Sequence, residues 1–180
     1  MKRIATCAVA VAAALSVATL AIPQHAAAQS PTKACFIYVG PVGDYGWSYQ
    51  HDRGRLDVEE ALGDAVETAY LESVPEGADA ERALERFARS GCNIIFATSF
   101  GYMDAVNSVA ARFPDVKFEH ATGYKREHPN VTTYNSKFYQ GRYIIGQIAA
   151  KMSETGKAGY IGSFPIPEVV RGINAFMLGA

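Results

Sequence analysis

The chain is poor in the residues and patterns that mark metal centres and serine hydrolases. Its 180 residues hold three cysteines and four histidines, and no C-x-x-C, H-E-x-x-H or G-x-S-x-G occurs, so neither chemistry has positive support. Three histidines follow residue 28, namely His51, His120 and His128, and they are scattered. His51 beside Asp52 invites a general-base reading. Neighbours on a helix point in different directions, however, so an exposed or capping histidine is the plainer reading. Gly40, Gly43 and Gly46 imitate a dinucleotide turn without spelling G-x-G-x-x-G, and no ribose-binding acid follows a second strand in the expected place, which argues against a dehydrogenase. Also missing is any excess of positive charge, since the whole chain has a formal net charge of -1. Nothing basic enough to hold nucleic acid is present.

The one long apolar run lies at the front. Residues 1–28 begin with Lys2 and Arg3, continue through an alanine-rich apolar stretch from Ile4 to Ile22, and end in Ala26-Ala27-Ala28. This is the pattern of a secretory signal peptide cleaved before Gln29. Pro23 and the short, weakly apolar run argue against a spanning helix. Cys7 sits too early in the run to serve a lipid anchor. The expected location is therefore the periplasm. Removing Lys2 and Arg3 from the seventeen basic side chains leaves fifteen against eighteen acidic ones, a formal charge of -3.

Downstream, strands and helices alternate. Ala34 to Val39 is a continuous apolar run suited to a strand covered on both faces. A helix from Ser48 to Gly63, with Leu56, Ala61 and Leu62 on its apolar side, leads to a strand from Ala65 to Leu71. Ala80, Ala83, Leu84, Phe87 and Ala88 recur at helical spacing, Gly91 ends that helix, and Asn93 to Thr98 is a third strand. Met103, Val106, Val109 and Ala110 mark a helix over Tyr102 to Arg112, and Val116 to Ala121 a fourth strand. Repeated βαβ units imply a parallel sheet with helices on both faces and a ligand edge at the carboxyl ends of the strands.

Thr122 to Asn130 lacks apolar periodicity and reads as a crossing between lobes. Beyond it, Val131 to Tyr134 is a strand and Gly141 to Met152 a helix with Tyr143, Ile144, Ile148 and Met152 inward. Ala158 to Phe164 follows as another strand. The division is then a signal peptide over 1–28, an amino-terminal α/β lobe over 29–123, and the beginning of a second α/β lobe over 124–180. The last helical pattern, Pro167 to Leu178, meets Ala180 with no closing strand or cap, as expected for the front part of a longer protein. Cys35 and Cys92 each lie at the entry to an expected strand, and in an exported protein they form either a disulfide or two small buried apolar side chains. Asn130-Val131-Thr132 fits a glycosylation acceptor, a pattern that chance often produces.

The richest segment for ligand chemistry is Gly40-Pro-Val-Gly-Asp-Tyr-Gly-Trp-Ser-Tyr49, where the first strand gives way to a helix. Glycines and a proline allow a sharp bend, and between them lie an acid, a hydroxyl and three aromatic rings. Rings beside a few polar groups suit a flat, polar small molecule.

That turn is followed by Thr98-Ser-Phe-Gly-Tyr-Met-Asp-Ala-Val, Phe113-Pro-Asp-Val-Lys-Phe, Gly141-Arg-Tyr-Ile-Ile-Gly and Gly156-Lys-Ala-Gly-Tyr-Ile-Gly with Ile166-Pro. The five segments, in this order, resemble the basic membrane protein family of substrate-binding proteins, the purine-nucleoside-receptor type that serves ABC importers. The resemblance covers nearly all of Lys33 to Ala180. It implies a type I periplasmic-binding-protein fold, two Rossmann-like lobes with parallel sheets, the second incomplete here. It also implies a purine base or nucleoside as ligand, an ABC permease of the inner membrane as partner, a monomer, and neither catalysis nor cofactor. Many relatives carry Asp-Lys-Ser-Phe-Asn where this chain has Asp44-Tyr-Gly-Trp-Ser, a change that bears on base and sugar preference.

The candidate contacts are Asp44, Trp47, Ser48, Ser99, Phe100, Thr122, Asn135 and Phe164. Trp47 is a stacking wall or a core tryptophan under the first helix. Asp44 accepts from the ligand or caps that helix. Ser99 is a contact or a cap, Phe100 a contact or a plug between lobes. Thr122, with Gly123, is a contact or a hinge. Asn135, followed by Phe138, is a polar contact or a cap, and Phe164 ends a strand. Arg171 invites a sugar contact, with a surface ion pair the simpler reading. An exported nucleoside hydrolase or phosphorylase would need an acid cluster or a metal, and the sequence has no such clustering. A sensory domain would recognise its ligand alike and differ only in partner.

Overall fold

The computed structural model describes residues 30–180, so the expected leader and its cleavage point lie outside the described residues. Five parallel strands form one sheet. They are β1 (Thr32–Ile37), β2 (Val66–Leu71), β3 (Ile94–Ala97), β4 (Lys117–Ala121) and β5 (Val131–Tyr134), in the order β2-β1-β3-β4-β5. The helices are α1 (Trp47–Leu62), α2 (Ala78–Arg89), α3 (Met103–Arg112), α4 (Phe138–Met152) and α5 (Pro167–Gly179). No helix among the described residues is long and apolar enough to cross a membrane.

The period-2 alternation of β1 sorts its side chains between two layers. Cys35 and Ile37 enter the larger core with Leu84 and Phe87 of α2, Val106 and Val109 of α3, and Ile95 and Phe118 of the sheet. Ala34, Phe36 and Tyr38 face the opposite way, and Phe36 stacks on Phe96 at 4.6 Å. The residues expected on the inner faces of α2 and α3 are buried there.

The first helix departs from its expected pattern, because Leu56 and Leu62 are exposed and Arg55 is buried. The Arg55 guanidinium reaches Asp52 at 2.7 Å, Glu59 at 3.0 Å and the Thr68 hydroxyl at 2.9 Å, and lies 4.8 Å from the Tyr70 ring. Tyr38 donates to the same Asp52. A buried cation is tolerated only when paired and hydrogen-bonded, and this one is both. The layer between α1 and the sheet is thus partly ionic.

Cys35 and Cys92 form a disulfide, with Cα atoms 6.0 Å apart. β1 and β3 are parallel neighbours in which Cys35 pairs with Ile95, and Cys92 lies in the turn that leads into β3 on the α2 side of the sheet, where both cysteines join the larger core.

The expected opening strand of a second lobe, Val131 to Tyr134, is instead the fifth strand of this sheet, with Phe118 opposite Val131 and Ala121 opposite Tyr134. Asn130 explains the difference. Its side-chain amide is buried and its N–H bonds are shared among the carbonyls of Ala110, Phe113 and Val116, which ties the 122–130 segment back to α3 and β4. That segment is therefore a connection within the sheet. The same bonds bury Asn130 away from any glycan.

Residues 158–164, expected as a strand, do not form one. A strand needs a neighbour for its backbone groups, and no described strand lies beside this segment, where Ile161 is 98 % and Phe164 68 % exposed. The residues expected to point inward from α4, Tyr143, Ile144, Ile148 and Met152, are exposed as well. What α4 buries is Gly146. Gly146 lies against the Phe176 carbonyl and Gly179 against the Tyr143 carbonyl, leaving no room for a Cβ on either. Two glycines thus let α4 and α5 approach backbone to backbone.

Candidate functional site

At the carboxyl edge of the sheet, the first turns of α1 face the ends of β4 and β5 and the start of α4. Between them is a cleft of about 450 Å³, lined in part by Trp47, Gln50, His51, Thr122, Asn135 and Phe138. A volume in this range suits a small ligand. α1 contributes because positions 47, 50 and 51 share one face at helical spacing.

Trp47 is half-buried and its orientation is fixed. The indole Nε1–H donates to the Thr98 carbonyl at the end of β3, the His51 ring lies 4.6 Å away, and the Phe138 ring 6.2 Å away at 44°. Thr122 has φ +64, a left-handed conformation that a β-branched residue adopts only under constraint. Its backbone N–H donates to the Tyr134 carbonyl at 2.8 Å, and its buried hydroxyl has no partner. Asn135 lines the cleft and reaches Glu168 of α5 only at 3.5 Å, while burial raises the Glu168 carboxyl above its ordinary pKa range.

The other candidates lie outside the cleft lining. The Asp44 carboxylate accepts from the backbone N–H groups of Gly46 at 2.7 Å, Ser48 at 3.2 Å and Tyr49 at 3.0 Å. These bonds, led by that of Gly46, hold its pKa below the ordinary range. The Ser48 hydroxyl is buried and accepts from the Gly40 N–H at 3.1 Å, which closes the β1–α1 turn from within. Ser99 donates through its hydroxyl to Glu76 at 2.6 Å, and Glu76 also accepts from the Gly101 N–H. Phe100 is half-buried with its ring 6.2 Å from that of Tyr124. Phe164 is exposed, and the Arg171 guanidinium lies 5.9 Å from the Tyr139 ring. Of the eight candidates, the cleft therefore brings together Trp47, Thr122 and Asn135.

The sequence assigns no site role to Gln50 or Tyr134 and makes His51 an exposed or capping histidine. The signal for His51 and Gln50 was available in the helical phase of Trp47. Behind Thr122, His120 is fully buried, with Nε2 2.7 Å from the Ser99 carbonyl and Nδ1 without a partner. Burial holds its pKa below the ordinary range, and Gly123 packs directly on the ring where a Cβ would clash. No group of three or more potential metal-ligating side chains occurs among the described residues.

This parallel sheet is shared with solved solute-binding proteins of ABC transporters. One from Aeropyrum pernix K1 matches with a TM-score of 0.72 at 25% identity, over 83% of this chain and 42% of that chain. Residues 31–180 match the family described as "ABC transporter substrate-binding protein PnrA-like", and the chain belongs to that family. It is 63% identical over 153 residues to a purine-binding protein of Brucella abortus (strain 2308), covering 85% of this chain and 43% of that protein. It is 45% identical over 147 residues to a Haloferax volcanii protein whose name assigns it glucose binding, covering 82% of this chain and 37% of that protein. The chain thus spans less than half the length of these relatives.

Proposed function

We propose that this chain supplies the first lobe and the beginning of the second, and so part of both walls, of a purine site in an exported substrate-binding protein that delivers a purine base or nucleoside to an ABC permease. In this reading the first lobe runs through β5, and α4 and α5 belong to the second. The observation that carries it is the cleft itself. Trp47 and Phe138 offer ring surface, and around them stand a few polar groups with no carboxylate or ammonium among the lining residues. A flat, uncharged heterocycle with mixed donors and acceptors on its edge matches such a lining. A sugar would call for a denser set of charged or bidentate hydrogen-bonding groups, and Arg171 is not among the lining residues. The name of the Brucella relative supports the same ligand class. The disulfide supports export, since such bonds persist in oxidising compartments.

The test is a thermal-shift screen of the full-length mature protein against bases, nucleosides, amino acids and sugars, with a product assay on every hit. Ligand at about a hundred times its Kd stabilises by roughly 2.7 kcal/mol, so a purine should raise the melting temperature by several degrees without being consumed. Turnover, or stabilisation by a sugar with none by purines, overturns the reading. Thr122→Val adds a local check. Replacing an unpartnered buried hydroxyl by a methyl group should leave the melting temperature of the free protein unchanged or slightly higher. Purine affinity should fall about three- to tenfold if the hydroxyl turns to the ligand on binding, the loss of one neutral hydrogen bond.

A further inference from the structure

His51 Nδ1 lies 2.8 Å from the Trp47 carbonyl oxygen, one turn back on α1. A carbonyl oxygen can only accept, so Nδ1 must carry the proton, and in the neutral ring Nε2 is left as a bare acceptor. The ring lines the cleft beside the Trp47 indole, and no hydrogen bond to Nε2 occurs among the described residues. Gln50, Asn135 and Ser136, which line the same cleft, can each donate or accept by turning. His51 cannot, because its tautomer is set by its own helix.

We propose that His51 is a specificity-determining residue, whose Nε2 accepts a hydrogen bond from an N–H on the edge of the heterocycle that stacks on Trp47. The proposal rests on the purine reading above and deepens it. The site then selects flat rings with a donor at that point, either a ring N–H or an exocyclic amine, and disfavours otherwise equal rings that lack one. A ring without the donor leaves the acceptor desolvated and unpaired, a defect that costs about tenfold or more in affinity.

The same geometry makes recognition sensitive to acid. Protonated His51 would present an N–H where the ligand also presents one. Burial holds the His51 pKa below its ordinary range, opposed by the bond to the Trp47 carbonyl. No charged group contributes to the shift. The residues lining the cleft from β4, β5 and α4 include Ala121, Thr122, Tyr134 and Phe138. Of these only Tyr134 titrates, and burial pushes it up to about 12. On α1 itself, Asp52 is held by Arg55 and Tyr38. Elsewhere on β4, Glu119 accepts from Thr132 and His120 is turned to the Ser99 carbonyl. A donor bound at Nε2 favours the neutral ring. Affinity should therefore be flat above the ordinary histidine range of about 6.5 and weaken by up to tenfold per unit below the lowered pKa of the free protein.

The experiment is calorimetric titration of the full-length mature protein with adenine, 9-methyladenine, 6-methylpurine and unsubstituted purine between pH 5 and 8. It is repeated on His51→Phe, which keeps a ring against Trp47 and removes the acceptor. The expected result is a loss of about tenfold or more for whichever analogue lacks the donor that is read. That gap should close in His51→Phe, together with the acid limb of the pH profile. Equal discrimination in the two proteins, or equal affinity of the wild type for all four analogues, overturns the role of His51 and leaves the purine reading standing. Failure of these four ligands, and of every purine base and nucleoside in the thermal-shift screen, to bind the wild-type protein overturns both. The wild-type analogue series decides the matter even if the variant does not fold.

Discussion

Replacing both bridged cysteines, Cys35→Ala with Cys92→Ala, should lower the unfolding free energy of the full-length protein by about 3–4 kcal/mol. The bridge spans 57 residues, and a loop of that length removes about 4 kcal/mol of chain entropy from the unfolded state. Alanine is the right replacement because Cys35 and Cys92 are 0% and 2% exposed, and a serine hydroxyl there would add an unpaired polar group. For a chain of this size or larger, each kcal/mol moves the melting temperature by about 2–4 °C, so a fall of roughly 10 °C is expected. Thermal unfolding with and without reductant checks it, since the reduced wild type should approach the variant. Coincident transitions would mean that the bridge does not constrain the unfolded chain. Purine binding below the transition should change little, because the bridge lies toward the amino end of β3 and the cleft at the carboxyl edge.

The βαβ part of the fold was legible because each strand and helix there carries its own period. Ala80, Ala83, Leu84, Phe87 and Ala88 mark the buried stripe of α2 outright, and the strands read as apolar runs between turn residues. What periodicity cannot supply is the partner of an element. Val131 to Tyr134 was recognisable as a strand with the bounds it has, yet its place beside β4 depends on the bonds from Asn130 to three carbonyls far back in the chain. Arg55 misled in the other direction. Composition places arginine in solvent, and only its convergence with Asp52, Glu59 and Thr68 makes burial tolerable.

Site residues divide along a similar line. Asp44, Ser48 and Ser99 are short polar side chains at the ligand edge, and capping a helix, closing a turn and touching a ligand all require that same residue type. In this structure their oxygens are engaged by the Gly46 N–H, the Gly40 N–H and Glu76 respectively. Trp47, Thr122 and Asn135 share the cleft instead. His51 reads in the sequence as an exposed or capping histidine because the role proposed for it comes from a backbone carbonyl four residues earlier. A side-chain pattern does not show that bond.

Trp47→Ala should weaken purine binding by about 1–3 kcal/mol, roughly 5- to 150-fold, because one ring face is removed from the cleft. Its effect on folding separates the two roles the sequence left open. A tryptophan buried in the core would cost about 3–5 kcal/mol of stability on truncation to alanine. Trp47 is half-buried, and the bond from its indole N–H to the Thr98 carbonyl contributes about 1 kcal/mol, so a stability loss well below the core range is expected. Trp47→Phe keeps a stacking face but loses the donor to Thr98, and should bind purine with intermediate affinity while unfolding slightly more easily than the wild type. Calorimetry for affinity and urea unfolding for stability check both variants. A loss of stability in the core range with binding per folded molecule unchanged would make Trp47 a packing residue. The ring wall of the cleft would then fall to Phe138, which stands 6.2 Å from the indole, and Phe138→Ala would become the variant that weakens binding.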